Sequence, residues 1–385
     1  MTLKASVRGQ MPPFLVMEVL RASASREVSG LDVLHLEIGQ PSEGIPRAVA
    51  DEVAVALSDS DPMGYTVAEG LPALRRRIAA HAARMYGIDV PMDRVFCTVG
   101  SSAAFLLTFL AAFEPGDRVG LANPGYPSYR HILKAVGAEP VLLPVGPNSR
   151  YQPTVEMLAE LERPLDGLIV ASPSNPTGSM IPPKEFADLV RYCHESGIRL
   201  ISDEIYHGIT YGMPAATATA FSPSAVVINS FSKYFCMTGW RLGWMVLPRD
   251  LRRSVECIAQ NLYISPPTIS QIAAIRALDH LPAFEAVVHR YAANRDILTA
   301  GLAQAGITRI APPDGAFYIY ADVSHLTDDS KAWCNRMLDE TGVAAAPGLD
   351  FDPVNGCRMV RFSYSGSRET VTAAVDRLKA WVPLS

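Results

Sequence analysis

Within residues 168–233 three apolar runs each break off abruptly into polar text: LIVASPSNPTG (168–178), LISDEIY (200–206) and VVINSFSK (226–233). Short runs of Val, Ile and Leu without polar alternation suit strands buried on both faces of a mostly parallel sheet. Upstream, Val95–Val99 and Val119–Ala122 repeat the pattern, and amphipathic segments of helical period separate the runs. Residues 46–284 therefore read as one large α/β domain. Beyond it the texture changes. AFEAVVHRYAANRDILTAGLAQAG (283–306) reads as a long helix, FYIYADV (317–323) and RMVRFSYS (358–365) as strands, and Glu369–Trp381 as a final helix. Residues 285–385, joined by the N-terminal segment 1–45, are expected to form a smaller α+β domain.

The chain's 385 residues are two to three times the ~150 of a typical domain, which agrees with that division. Charged residues make up 19%, below the roughly 25% usual in soluble chains, which hints at surface buried in a subunit contact. The net charge of −5 comes without long runs of either sign, so nothing resembles a nucleic-acid or anionic-membrane footprint. The start, MTLKASVRGQMPPFLVMEVL, lacks the apolar core and cleavage site of a signal peptide, and Phe105–Phe113 is too short to span a bilayer. A cytoplasmic protein is expected. Six cysteines and eight histidines show neither a disulfide framework nor zinc-ligand spacing. Proline is abundant, 30 residues or about 8% against roughly 5% on average, yet no proline-rich tract occurs, so the prolines belong to ordered loops.

In an open parallel sheet, ligands bind outside the carboxyl ends of the strands. The residues there are Gly100, Ser101 and Ser102 before the apolar segment AAFLLTFLAAF, Tyr126 in NPGYPSY, Asn175 in SPSNPTG, Asp203 and Tyr206 in SDEIY, Ser230, Ser232 and Lys233 in NSFSK, and Arg241 in MTGWRLGW. Taken singly, each also has a structural reading: a serine cap, a turn asparagine, a helix-capping aspartate, a core tyrosine, a solvated lysine. Taken together they supply what one cofactor needs. A lysine in a desolvated or cationic setting loses its proton and attacks a carbonyl as a neutral amine. Pyridoxal phosphate needs such a lysine for its Schiff base and an acid to keep its ring nitrogen protonated. Lys233 and Asp203 fit those needs, and Tyr206 and Asn175 can bond the ring oxygen. Arg241, Ser230, Ser232 and the Gly100–Ser102 turn can hold the phosphate.

The same text resembles the fold-type I pyridoxal-phosphate aminotransferases, in the branch with aspartate, aromatic and alanine aminotransferases, over nearly the whole chain. SFSKYFCMTGWRLG (230–243) is similar to the branch's lysine signature, GYTVAEGLPALRRRIA (64–79) to its tyrosine segment, SPSNPTG to its asparagine loop, SDEIY to its aspartate–tyrosine strand, and VRFSYS to its carboxylate–arginine strand. The resemblance implies a homodimer with shared active sites. Tyr126 would stack on the ring, and Tyr65 would reach the neighbouring subunit's phosphate. Arg361 would clamp the α-carboxylate, assisted by the backbone of Gly39, with Asn175 also at the substrate. Asn175–Pro176 would be a cis bond. The implied reaction is ping-pong transamination between an L-amino acid and a 2-oxo acid, with Lys233 as covalent anchor and general acid/base, Asp203 and Tyr206 completing the catalytic set. Departures occur at Cys236, at SEGIP (42–46) and at PGLDFD (347–352); the last two are expected near the substrate side chain. The rivals are a carbon–sulfur β-lyase using the same cofactor, disfavoured by SDEIY in place of SDEIH, and a non-catalytic cofactor-sensing regulator, for which no DNA-binding pattern precedes the large domain. A nicotinamide dehydrogenase lacks its GxGxxG.

Overall fold

The computed structural model describes residues 3–58 and 62–382; residues 1–2 and 383–385 of the two expected small-domain segments lie outside them. Helix α1 (Leu15–Val28), a short strand β1 (Leu34–His35), α2 (Arg47–Ser58) and α3 (Pro72–Tyr86) lead into β2 (Val95–Thr98). Helix α4 (Gly100–Ala112) and β3 (Arg118–Asn123) follow, then α5 (Pro127–Val136), β4 (Glu139–Pro144), α6 (Val155–Ala159) and β5 (Gly167–Ala171). Helix α7 (Pro183–Glu195) connects β5 to β6 (Arg199–Asp203), and β7 (Val226–Ser230), β8 (Gly243–Val246), α8 (Arg249–Leu262) and α9 (Thr268–Ala277) complete this part. Among the described residues the central sheet has seven strands in the order β2-β8-β7-β6-β5-β3-β4. All neighbours pair parallel except β8, which runs antiparallel to both β2 and β7.

Alternate residues of the central strands enter opposite cores. Leu168, Val170, Leu200 and Val227 pack on one side, and Ile169, Ile201, Val226 and Ile228 on the other. This two-faced burial is why those runs carry no polar alternation. Helix α7 buries the single stripe Phe186, Leu189, Val190 and Cys193, the spacing of an amphipathic helix on a sheet. Helix α4, apolar nearly all round, is buried through Ala103, Ala104, Phe105, Leu107 and Phe109 between the sheet and neighbouring helices. Strand β4 carries Pro140 and Pro144 and stands at the sheet edge, where missing N–H donors are tolerated.

The long helix α10 (Leu281–Gln304) runs across the expected boundary at 284/285. After it come β9 (Tyr318–Asp322), α11 (Ser330–Thr341), β10 (Val343–Ala344), β11 (Ala346–Pro347), β12 (Met359–Ser363) and α12 (Arg368–Trp381). Strands β11, β12 and β9 form an antiparallel sheet, while β1 pairs parallel with β10, Leu34 opposite Val343. The N-terminal segment is thus tied to the C-terminal third. None of the helices among the described residues is long and apolar enough to cross a membrane.

Candidate active site

The carboxyl ends of β3, β5, β6 and β7 open on a cavity of about 580 Å³ lined by Lys233, Asp203, Tyr206, Asn175, Arg241 and Arg361 among others. Its size falls within the ~300–1,000 Å³ of small-molecule sites. Parallel register does the assembling: Ala171 at the end of β5 stands beside Asp203 at the end of β6, so the loop carrying Asn175 emerges next to the aspartate. Arg361 arrives from the other sheet, in mid-strand on β12.

Lys233 Nζ donates to the carbonyl oxygen of Gly39 at 2.6 Å. Burial pushes its amine down to about 8, and the Arg361 and Arg241 guanidiniums push the same way, with Asp203 opposing them. Asp203 is 4% exposed. Its Oδ2 accepts from the Tyr129 hydroxyl and its Oδ1 from the Ile205 N–H at 3.0 Å. Burial raises its carboxyl to about 6, and those two donors together with Lys233 keep it from going higher; at neutral pH it is mostly an anion. The Tyr206 hydroxyl lies 2.8 Å from that of Tyr318, in an apolar setting that lifts the Tyr206 phenol well above its usual range.

Arg361 is 3% exposed. Its guanidinium is sandwiched between the rings of Tyr318, 4.4 Å away, and Phe351, 4.7 Å away, a geometry that favours the planar cation. Nη1 donates to Asn175 Oδ1 at 2.9 Å and Nη2 to the Glu37 carbonyl at 2.5 Å. Its Nε is buried with no partner among the described residues.

At the other end lies the N-terminus of α4, whose N-cap Val99 makes no side-chain cap hydrogen bond, and Ser101, Ser102, Ser232 and Arg241 line the cavity there. Gly100 has φ +73°, and a Cβ on it would meet Arg241 Nη2 at 2.5 Å. A side chain would push the arginine off the helix start. A dianion is suited to this end, where helix dipole, hydroxyls and a guanidinium converge. An amine of lowered basicity, a buried carboxylate and that anion cradle in one cavity are the donor set that pyridoxal phosphate requires, so the residues present fit it.

Three expected site residues stand off the lining. Ser230 is buried behind it, its hydroxyl 2.9 Å from Ser232 Oγ and 3.1 Å from the Leu242 carbonyl, which accepts from it; it buttresses Ser232. Gly100 acts through the space it leaves for Arg241. Tyr65 is 83% exposed and outside the cavity. The two loops expected near the substrate side chain also differ from expectation. Leu349, Asp350 and Asp352 do not line the cavity, because the two aspartates face protein donors: Asp350 accepts from the Leu15 and Val16 amides, and Asp352 Oδ1 accepts from Asn123 Nδ2, all at 2.8 Å. Of the 38–46 segment Ile38, Gly39 and Gln40 line it, while Ser42 bonds the Ser365 carbonyl at 2.9 Å and Glu43 pairs with Arg290. The Asn175–Pro176 bond is cis, as are Asn123–Pro124 and Ser172–Pro173.

Sequence reading missed Tyr129 and Tyr318, which hold Asp203, Tyr206 and Arg361, and an apolar wall from Phe14, Met17 and Leu20. The last had a signal, since the three recur every third residue after Pro12–Pro13. Tyr129, three residues after Tyr126 on the helix that follows β3, carried a weaker one.

A sequence model of the family described as aminotransferase class I and II matches residues 31–378. The valine–pyruvate aminotransferase of Mycobacterium tuberculosis is 50% identical, with 100% of each chain covered. The aspartate/prephenate aminotransferase of Thermus thermophilus is 31% identical over 95% of each. A crystal structure of an aminotransferase from M. tuberculosis superposes with a TM-score of 0.97 at 49% identity, covering 99% of this chain and 100% of that one. With the fold, the lysine-centred cavity and these likenesses in agreement, the chain belongs to the class I and II aminotransferases, the pyridoxal-phosphate enzymes that exchange an amino group between an amino acid and a 2-oxo acid.

Proposed function

We propose that Lys233 is the catalytic amine of this transaminase, that Arg361 binds the substrate α-carboxylate, and that an uncharged aliphatic amino acid such as valine is a donor, with pyruvate as an acceptor. The observation that carries this reading is the opening of Lys233 and Arg361 onto one cavity whose other wall is apolar. The valine–pyruvate activity in the name of the M. tuberculosis relative supports the substrate pair.

When bound, pyridoxal phosphate supplies an aldehyde that takes up amines and a ring that withdraws electrons from the carbon losing its proton. Ser101, Ser102, Ser232 and Arg241 would hold its phosphate, Tyr126 would cover its ring, Asn175 and Tyr206 its ring oxygen, and Asp203 its nitrogen. Lys233 Nζ would anchor the cofactor and, when free, would be placed to take a proton from the Cα of the bound amino acid and to hold it for return. Its lowered basicity suits both directions near neutral pH. Arg361 sets which Cα bond faces Lys233: its fork pairs with a carboxylate in the plane that Tyr318 and Phe351 impose.

We further propose a homodimer that completes the site across the subunit contact. The exposed Tyr65, Val67, Leu262 and Ile264 suit such a contact, which light scattering will check. The small domain formed by 1–45 and 285–385 and a cytoplasmic location belong to the same reading.

The test is a half-reaction panel, in which loaded protein is mixed with single amino acids and the visible band is followed. Valine should convert it, and failure with every amino acid would overturn the reading. Two further outcomes are expected. Arg361→Lys should lower kcat/KM about a hundredfold, mostly through KM, from roughly 3 kcal/mol for a buried charge pair deprived of its second donor. Steady-state kinetics at varied amino acid checks it, and an unchanged KM would count against the clamp. Cofactor uptake by the apo-protein should accelerate as pH rises through about 8, because only the neutral Lys233 amine attacks a carbonyl; stopped-flow absorbance from pH 6.5 to 9.5 reads it.

A further inference from the structure

The apolar wall of the cavity belongs largely to α1. Phe14, Met17 and Leu20 form one stripe toward the cavity, joined by Ile38 and Ile132. Val16 also reaches the cavity edge while packing against Tyr320, Ala346 and Phe351, and Val19 is buried against Leu338 and Ala344. The charged residues lining the cavity are Asp203, Lys233, Arg241 and Arg361. With Arg361 on the α-carboxylate, Arg241 on the phosphate and Lys233 on the cofactor, no cation among the described lining residues is left for a side-chain carboxylate.

What fixes α1 is unusual. Its N-cap residue is Phe14, which offers no side-chain acceptor. The cap comes instead from Asp350, whose Oδ1 and Oδ2 accept from the Leu15 and Val16 amides at 2.8 Å each. A carboxylate there satisfies free N–H groups and complements the helix dipole. Asp350 is itself braced, its carbonyl accepting from Arg130 Nη2 at 2.6 Å, and the next residue, Phe351, packs against Arg361. The cap therefore registers the apolar wall against the carboxylate-binding arginine.

We propose that Asp350 is a positioning residue for side-chain selectivity: by pinning the first turn of α1 it holds Phe14, Met17 and Leu20 where a branched aliphatic side chain packs. Branched aliphatic amino acids are thereby favoured over alanine and over dicarboxylic ones. This rests on the Proposed function reading. Side-chain contacts of one or two methyl groups are worth about tenfold or more in kcat/KM, so a displaced wall shows in selectivity before it shows in chemistry.

The experiment uses the loaded full chain and single-turnover half-reactions with valine, alanine and aspartate, for wild type, Asp350→Asn, Asp350→Ala and Leu20→Ala. Hydrogen exchange of the segment 15–28 is followed in parallel. Asp350→Asn, which keeps one acceptor, should lower the valine-to-alanine ratio of kcat/KM about tenfold, and Asp350→Ala further. Exchange at the first turn of α1 should rise in both. Leu20→Ala, which leaves the cap intact, should lower the ratio without faster exchange and keeps the test valid if Asp350→Ala does not fold. A ratio unchanged in Asp350→Asn despite faster exchange overturns the positioning role, as does unchanged exchange. A wild type that converts aspartate at least as well as valine overturns the selectivity, whereas one that converts no amino acid overturns the underlying assignment of the site instead.

Discussion

Lys233→Ala is expected to abolish the visible absorbance of the lysine-held cofactor and to lower turnover by about 10⁴-fold or more, the upper range for removing a general acid–base group, with the covalent anchor lost besides. No neighbour can substitute. The other cavity cations are guanidiniums, which stay protonated, and the nearby phenols of Tyr206 and Tyr129 are held well above their usual range by burial. The loss should not come from unfolding. The Lys233 amine is held at about 8, below its ordinary 10.5, so the fold disfavours its charged form. Between those two values an unfolded chain binds a proton that the native one does not, so wild-type stability falls relative to the alanine variant as pH drops from about 10.5 to about 8 and stays lower beneath. The apo-variant should thus unfold no earlier than the wild type at pH 7. Normal turnover, or a thermal midpoint many degrees lower with activity lost in proportion, would contradict this account.

The place of Lys233 in the cavity was legible because its signal is local: a lysine three residues beyond a buried strand, in text whose neighbours also end strands. The five apolar runs read from sequence all lie on strands of the central sheet, since two-faced burial leaves a composition that no surface segment shares. Strand β4 escaped because its two prolines argue against a strand, and only a place at the sheet edge reconciles them. Strand β8 escaped because GWMV follows Arg241 so closely that the text reads as site rather than sheet. The site residues missed have a different cause. Tyr318 and Tyr129 act by facing groups far along the chain, Tyr318 under Arg361 and Tyr129 on Asp203, and no short-range pattern records such a meeting. Asp350 and Asp352 looked like altered substrate contacts, yet the backbone N–H groups of α1 and the Asn123 amide claim them. Ser230 looks equivalent to Ser232 in the text, but Ser230 is the last residue of β7, its hydroxyl held at the Leu242 carbonyl on β8's flank, whereas Ser232 lies in the loop beyond the strand and reaches the cavity, with the hydroxyl behind supporting the one in front.

Asp203→Asn should lose about 10³-fold in kcat, comparable to removing one preorganised electrostatic partner from a buried site, while binding cofactor with a visible band. The two residues have the same shape: the amide oxygen still accepts from the Ile205 N–H, and the Tyr129 hydroxyl, which donates to the carboxylate, turns to accept from the new NH2, so the contacts survive and the charge is removed. That charge matters because Asp203 faces the cavity as an anion held in a nearly dry setting, where its field on a facing ring nitrogen is least screened. A neutral amide does not hold that nitrogen protonated, and the ring then withdraws electrons poorly. The same burial gives a second, independent readout. Asp203 titrates at about 6 in the fold against 3.8 ordinarily. Between those values the native state binds a proton that the unfolded state has released, so apo wild-type stability falls as pH rises from about 4 to about 6. The asparagine variant lacks that term, so its stability advantage should grow over that window and level off above it. Denaturant melts of both apo-proteins at pH 4.5 and pH 7 test this, and stopped-flow half-reactions test the rate. An unchanged rate would remove Asp203 from the chemistry, and a stability difference independent of pH would mean that its carboxyl is not held out of water as the structure shows.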